Sequence, residues 1–133
     1  MKKYSRQREM ILQTLRSVKT HPTATRIYDM VREYIPNISL GTVYRNLSQL
    51  DEEGEILTLK AKEGSDHFDG NPEPHYHFYC EKCCSFQDLN VPVVEKLDCH
   101  LGLTDYDIRG HYLVFYGSCP ACGKNARSEA SPA

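Results

Sequence analysis

Two thiol pairs, Cys80-x-x-Cys83 and Cys119-x-x-Cys122, carry the strongest chemical signal in the chain. The spacing lets both thiolates of a pair turn toward one ion, and four thiolates make the closed tetrahedral site of a structural zinc. The long stretch between the pairs exceeds a compact ribbon, so the ion would pin the last strand of its domain to the first. Two disulfides or a thiol redox switch are the alternatives, and a reducing compartment disfavours the first of them. Cys99 is expected as a small buried hydrophobe in a helix. Cys84, beside a ligand, is expected as a spectator that could oxidise.

A second set of ligands has different chemistry. His75 and His77 stand two residues apart, so a strand would present both on one face. Asp69 before them and Asp88 after them could converge on the same point. Imidazole and carboxylate donors suit Fe²⁺, Mn²⁺ or Zn²⁺. His21 lies far upstream. If it joined the same ion, metal occupancy would fix the angle between two domains, a population-shift switch. His111 is the spare candidate, and His67 and His100 are expected at the surface. A small metalloenzyme is the remaining alternative, but it needs a general base near a metal-bound water. Glu73 is the one carboxylate left over for that role.

The elements that position these residues follow from periodicity and caps. Ser5 caps a helix running to about Val18, with Ile11, Leu12, Leu15 and Val18 at helical spacing. A second helix spans about Ala24 to Tyr34, with Ile27, Met30, Val31 and Tyr34 on one face. A third spans about Leu40 to Glu53, burying Val43, Leu47 and Leu50, with Gly54 as its left-handed cap. EILTLKA follows as a strand. Three short helices and a β wing describe a winged helix-turn-helix, whose last helix enters the major groove of double-stranded DNA. Ser39, Thr42, Tyr44, Arg45 and Gln49 can face outward there, and they are phosphate- and base-contacting types. Arg6 and Arg8 of the first helix are expected to join them.

Charge agrees with that division. Residues 1–50 hold nine Lys/Arg against three acids, whereas the remainder holds seven against fifteen. An anionic partner is therefore expected for the first part only. Beyond the wing, HYHFYC and SFQDLN read as strands, Pro92 to Gly102 as a helix, and DYDIRGHYLVFYGSC as one long alternating strand. So small an α/β domain has a thin core, which favours a structural metal or a second subunit. The boundaries expected are residues 1–66 for the winged helix, 67–74 for a hinge, 75–124 for the metal-binding domain and 125–133 for a disordered tail. No apolar run approaches a membrane span, and MKKYSRQREM has no apolar segment of a secretory signal, so a cytoplasmic protein is expected.

HPTATRIYDMV, SLGTVYRNLSQLDEEGEI, HFDG, HYHFYCEKC and YGSCPACG, in that order, resemble the ferric-uptake-regulator family over about Ser5 to Gly123. The resemblance implies an α+β fold: an N-terminal winged helix-turn-helix followed by a small α/β dimerisation domain. It implies a homodimeric, metal-dependent repressor that binds operator DNA and is not an enzyme. Structural Zn²⁺ would fall on Cys80, Cys83, Cys119 and Cys122. A regulatory Fe²⁺ or Mn²⁺ would fall on His21, Asp69, His75, His77 and Asp88. The carboxylate five residues after the first thiol pair is Asp88, as in the peroxide-stress (PerR) type. That type implies sensing of hydrogen peroxide through iron-catalysed oxidation of a ligand histidine. An iron or zinc uptake regulator, with metal as co-repressor, is the alternative. The chain departs from the family pattern in starting close to Ser5, in Arg6 where proline is usual, and in Cys84 where glycine is common. Arg45 is similar to the iron-sensing members.

Overall fold

The computed structural model describes residues 5–61 and 64–123. The tail expected to be disordered lies outside the described residues. The chain divides into two compact units, Met1–Glu73 and Pro74–Ala133.

In the first unit, three helices start on side-chain caps that satisfy their leading N–H groups. In α1 (Arg6–Arg16), Ser5 accepts from the Arg8 N–H. In α2 (Ala24–Val31), Thr23 accepts from the Arg26 N–H. In α3 (Leu40–Glu52), Ser39 accepts from the Thr42 N–H. Their apolar stripes meet in one core, with Ile11, Leu15, Ile27, Val43, Leu47 and Leu50 each at most 1% exposed. Gly54, at φ 75°, ends α3. Its N–H bonds Asp51 O and the Glu55 N–H bonds Leu50 O, the paired contacts of a Schellman cap. A two-stranded antiparallel wing follows, β1 (Leu57–Leu59) with β2 (His67–Asp69), in which Leu57 faces Asp69 and Leu59 faces His67.

Three boundaries differ from expectation. The first helix stops at Arg16, short of Val18, and the second stops at Val31. Tyr34, expected on the buried face, is 60% exposed. Pro36 disfavours a helical residue before it, so the chain leaves the helix early. The stretch 67–74 expected as a hinge begins with the returning wing strand β2.

The second unit is a three-stranded sheet in the order β4-β3-β5. The central β3 (Tyr76–Cys80) pairs antiparallel with β4 (Phe86–Leu89) and parallel with β5 (Val114–Gly117). Tyr76, Tyr79, Cys80, Phe86 and Cys119 make its thin buried layer. The helix expected over Pro92–Gly102 is a short α4 (Leu97–His100). Lys96, at φ 55°, breaks any helix arriving from Pro92, and no residue of α4 is buried. Cys99 is accordingly exposed and not a buried hydrophobe. The long strand expected over 105–119 is reduced to four residues. Its parallel partner β3 begins at Tyr76, and the Leu113 carbonyl already bonds the His77 N–H, so residues further upstream find no strand beside them among the described residues. Among the described residues no helix is long and apolar enough to cross a membrane.

Candidate metal centres

The thiol pairs are delivered by the two neighbouring parallel strands. Cys80 ends β3, and register opposes it to Gly117, two residues before Cys119. The sulfur atoms of Cys80, Cys83, Cys119 and Cys122 lie within 4.8 Å of one another. The Cys83 and Cys119 sulfurs are 3.9 Å apart. A tetrahedron with Zn–S bonds of about 2.3 Å has an edge of about 3.8 Å, so the cluster fits that ion. Burial pushes the Cys80 thiol up, but the main-chain N–H groups of Cys83, Cys119 and Lys82 outweigh it and bring it down to about 6. The Cys122 N–H likewise lowers Cys119. Cys122, facing the Cys119 and Cys80 sulfurs, is pushed up to about 12. Four thiols this close cannot all ionise without a cation among them.

Cys84 stands outside the cluster, exposed, at φ 57°. Its N–H bonds the Cys80 carbonyl at 2.8 Å and closes the knuckle. A left-handed backbone there is a conformation that glycine adopts at less cost than a residue with a Cβ.

The nitrogen and oxygen donors occur in both units. In the second, His77 on β3 sits opposite Asp88 on β4. The Nε2 atoms of His75 and His77 are 2.9 and 3.3 Å from Asp88 Oδ1. The two rings lie 4.3 Å apart, centre to centre. His77 is 3% exposed, whereas Asp88 is exposed. In the first unit, His21 and Asp69 are both buried, with His21 Nε2 3.2 Å from Asp69 Oδ2. Asn71 N–H donates to Asp69 Oδ1 at 2.9 Å and orients the carboxylate. Each group brings imidazole Nε2 atoms and carboxylate oxygens together, a donor chemistry that fits Fe²⁺, Mn²⁺ or Zn²⁺.

The other candidates have different neighbours. His111 Nε2 is 2.7 Å from the Tyr76 hydroxyl, which also accepts the Val94 N–H. Glu73 is exposed. His100 is exposed, but His67 is half-buried, with Nδ1 2.6 Å from the His21 carbonyl oxygen. Sequence reasoning missed that role, because only folding brings the HFDG and HPT motifs together.

On α3, Ser39, Tyr44 and Arg45 are exposed and Thr42 is half-exposed, all away from Val43, Leu47 and Leu50. Arg6 is exposed. Arg8 and Gln49 are occupied with each other: the Arg8 guanidinium donates to Gln49 Oε1, Asn46 Oδ1 and Glu53 Oε1.

Known proteins resemble this chain in sequence and fold. The family described as ferric uptake regulator matches residues 2–116. The peroxide-responsive repressor PerR of Staphylococcus aureus (strain USA300) is 39% identical over 119 residues, covering 87% of this chain and 79% of that protein. The Campylobacter jejuni peroxide stress regulator has a TM-score of 0.76 at 28% identity, over 87% of this chain and 88% of that one. The Helicobacter pylori ferric uptake regulator Fur has a TM-score of 0.77 at 24% identity, over 91% and 82%, a likeness of fold. Members are transcriptional regulators and not enzymes, which removes the metalloenzyme alternative. With most of its length matched, the chain belongs to the ferric uptake regulator family.

Proposed function

We propose that the chain is a metal-dependent repressor of the peroxide-stress type, binding operator DNA as a homodimer in the cytoplasm. The observation that carries the subtype is Asp88, set opposite His77 and within reach of both strand histidines. The 39% identical relative is itself named a peroxide-responsive repressor.

In this reading Cys80, Cys83, Cys119 and Cys122 hold structural Zn²⁺, and a closed sulfur site leaves no position for substrate. His21, Asp69, His75, His77 and Asp88 together hold one regulatory Fe²⁺ or Mn²⁺. Bound Fe²⁺ would supply one-electron reduction of hydrogen peroxide to hydroxide and a hydroxyl radical, and Mn²⁺ would not. The hydroxyl radical so formed would add to the imidazole of a ligand histidine, and loss of a second electron to Fe³⁺ and of a proton would leave one added oxygen there. An oxidised imidazole is a poorer donor, so metal affinity falls and the operator is released.

The winged helix, expected over residues 1–66 and extended by the wing strand β2 to Asp69, reads DNA with α3 in the major groove, through Ser39, Thr42, Tyr44 and Arg45, with Arg6 on the backbone. The residues after β2, up to 74, connect it to the dimerisation and metal-binding domain, 75–124. Support for a second copy comes from one face of the alternating stretch: Tyr106, Ile108, Tyr112, Val114 and Tyr116 are all exposed in the single chain. An apolar face this long is a feature of association sites.

The test is peptide mass spectrometry on zinc-replete protein loaded anaerobically with Fe²⁺ or Mn²⁺, then given a small dose of peroxide. One added oxygen on His21, His75 or His77 with iron alone is expected. Unmodified histidines in both samples, with operator binding intact, would turn the assignment to the metal-uptake-regulator alternative.

A further inference from the structure

His67 and Asp69 stand two apart on β2, so both project from one face of the wing. That face grips His21 from two ends. Asp69 Oδ2 meets the ring at Nε2, 3.2 Å away. His67 Nδ1 meets the main-chain carbonyl oxygen at 2.6 Å. A carbonyl only accepts, so Nδ1 carries the proton and donates. Two further contacts fasten the same turn: the Phe68 N–H donates to Pro22 O at 3.0 Å, and Thr23 bridges His67. His21 needs such support, because its φ of 52° lies in a region that a residue with a Cβ disfavours.

We propose that His67 is a positioning residue for the regulatory metal. Its Nδ1–H bond holds the left-handed backbone of His21 and so aims Nε2 at the ion. This rests on the reading of His21 and Asp69 as ligands. Groups that orient a ligand typically change metal affinity by 10–100-fold when removed, roughly the scale expected here.

The test uses the zinc-replete full-length protein and Mn²⁺ alone as probe. Free Mn²⁺ is followed by electron paramagnetic resonance, with thermal unfolding in parallel. His67→Ala is expected to weaken Mn²⁺ binding about tenfold or more, with zinc content unchanged. His67→Gln, whose amide can donate to the same carbonyl, should recover part of that loss. Long-range ¹H–¹⁵N spectra should show wild-type His67 as the Nδ1–H tautomer, a readout that stands even if His67→Ala folds poorly. Wild-type Mn²⁺ affinity in His67→Ala, or an Nε2–H tautomer, overturns the proposal. So does a lowered melting temperature with unchanged affinity, which would leave His67 a purely structural role. Unchanged affinity in His21→Ala would instead sink the ligand assignment, and the proposal with it.

Discussion

Arg8→Ala separates two roles for one cation. From sequence, Arg8 is expected on DNA. In the structure its Nε is 3.4 Å from Asn46 Oδ1 and its Nη1 is 3.3 Å from Glu53 Oε1, with Nη2 on Gln49 Oε1. Those three residues form one stripe along α3, so a single guanidinium ties the second half of that helix to the first turn of α1. The side chains of Arg8 and Glu53 are only 19% and 21% exposed, so the pair is partly desolvated. A hydrogen bond to a charged group contributes about 1.5–3 kcal/mol. The contacts to Asn46 and Glu53 are long and all three bonds share one cation, so the cluster contributes about 2 kcal/mol and not three times the single value. In a unit this small that corresponds to a fall in Tm of about 10 °C.

The assay pairs thermal unfolding with operator binding by fluorescence anisotropy at several salt concentrations. Loss of the clamp should lower Tm and weaken binding by misplacing α3, while the salt dependence stays as in the wild type. A phosphate contact behaves otherwise: Tm is kept and the slope of log K against log salt shrinks by about one. That second pattern would refute the clamp.

Cys119→Ser should lose zinc and the folded second unit together, because a structural zinc contributes folding free energy outright; metal analysis and circular dichroism check it, and a folded zinc-free variant would contradict it. Gly70→Ala should destabilise the first unit by about 1–3 kcal/mol, since an added Cβ would meet the Arg16 main-chain N and Cα at 3.0 Å; denaturant unfolding that matches wild type would show that the β2–α1 approach is looser than drawn. Cys84→Gly should keep full zinc content and stability to within about 1 kcal/mol, because relief of the left-handed backbone offsets the chain entropy of glycine. Loss of zinc in that variant would place Cys84 among the ligands.

The parts legible in sequence are those written locally. Ser5, Thr23 and Ser39 each accept from an N–H three residues on, so sequence alone places three helix starts. The thiol pairs are legible for the same reason: ligand spacing within a knuckle is a local property. The roles of Arg8 and His67 are not local. Their partners lie 38 and 46 residues away, at Asn46 and His21, and only the packed helices and the closed wing bring them together. The second unit shows a different failure. Alternation over 105–119 marks a buried face, yet β3 is too short to pair with that stretch, and its face is exposed in one chain. Period two reports that a face is covered, without saying by what. Here the pattern and the single chain disagree at Tyr106, Ile108, Tyr112, Val114 and Tyr116, and a second copy would reconcile them. The misread strand is therefore a place where the sequence encodes burial that one chain does not supply, which the proposed homodimer would.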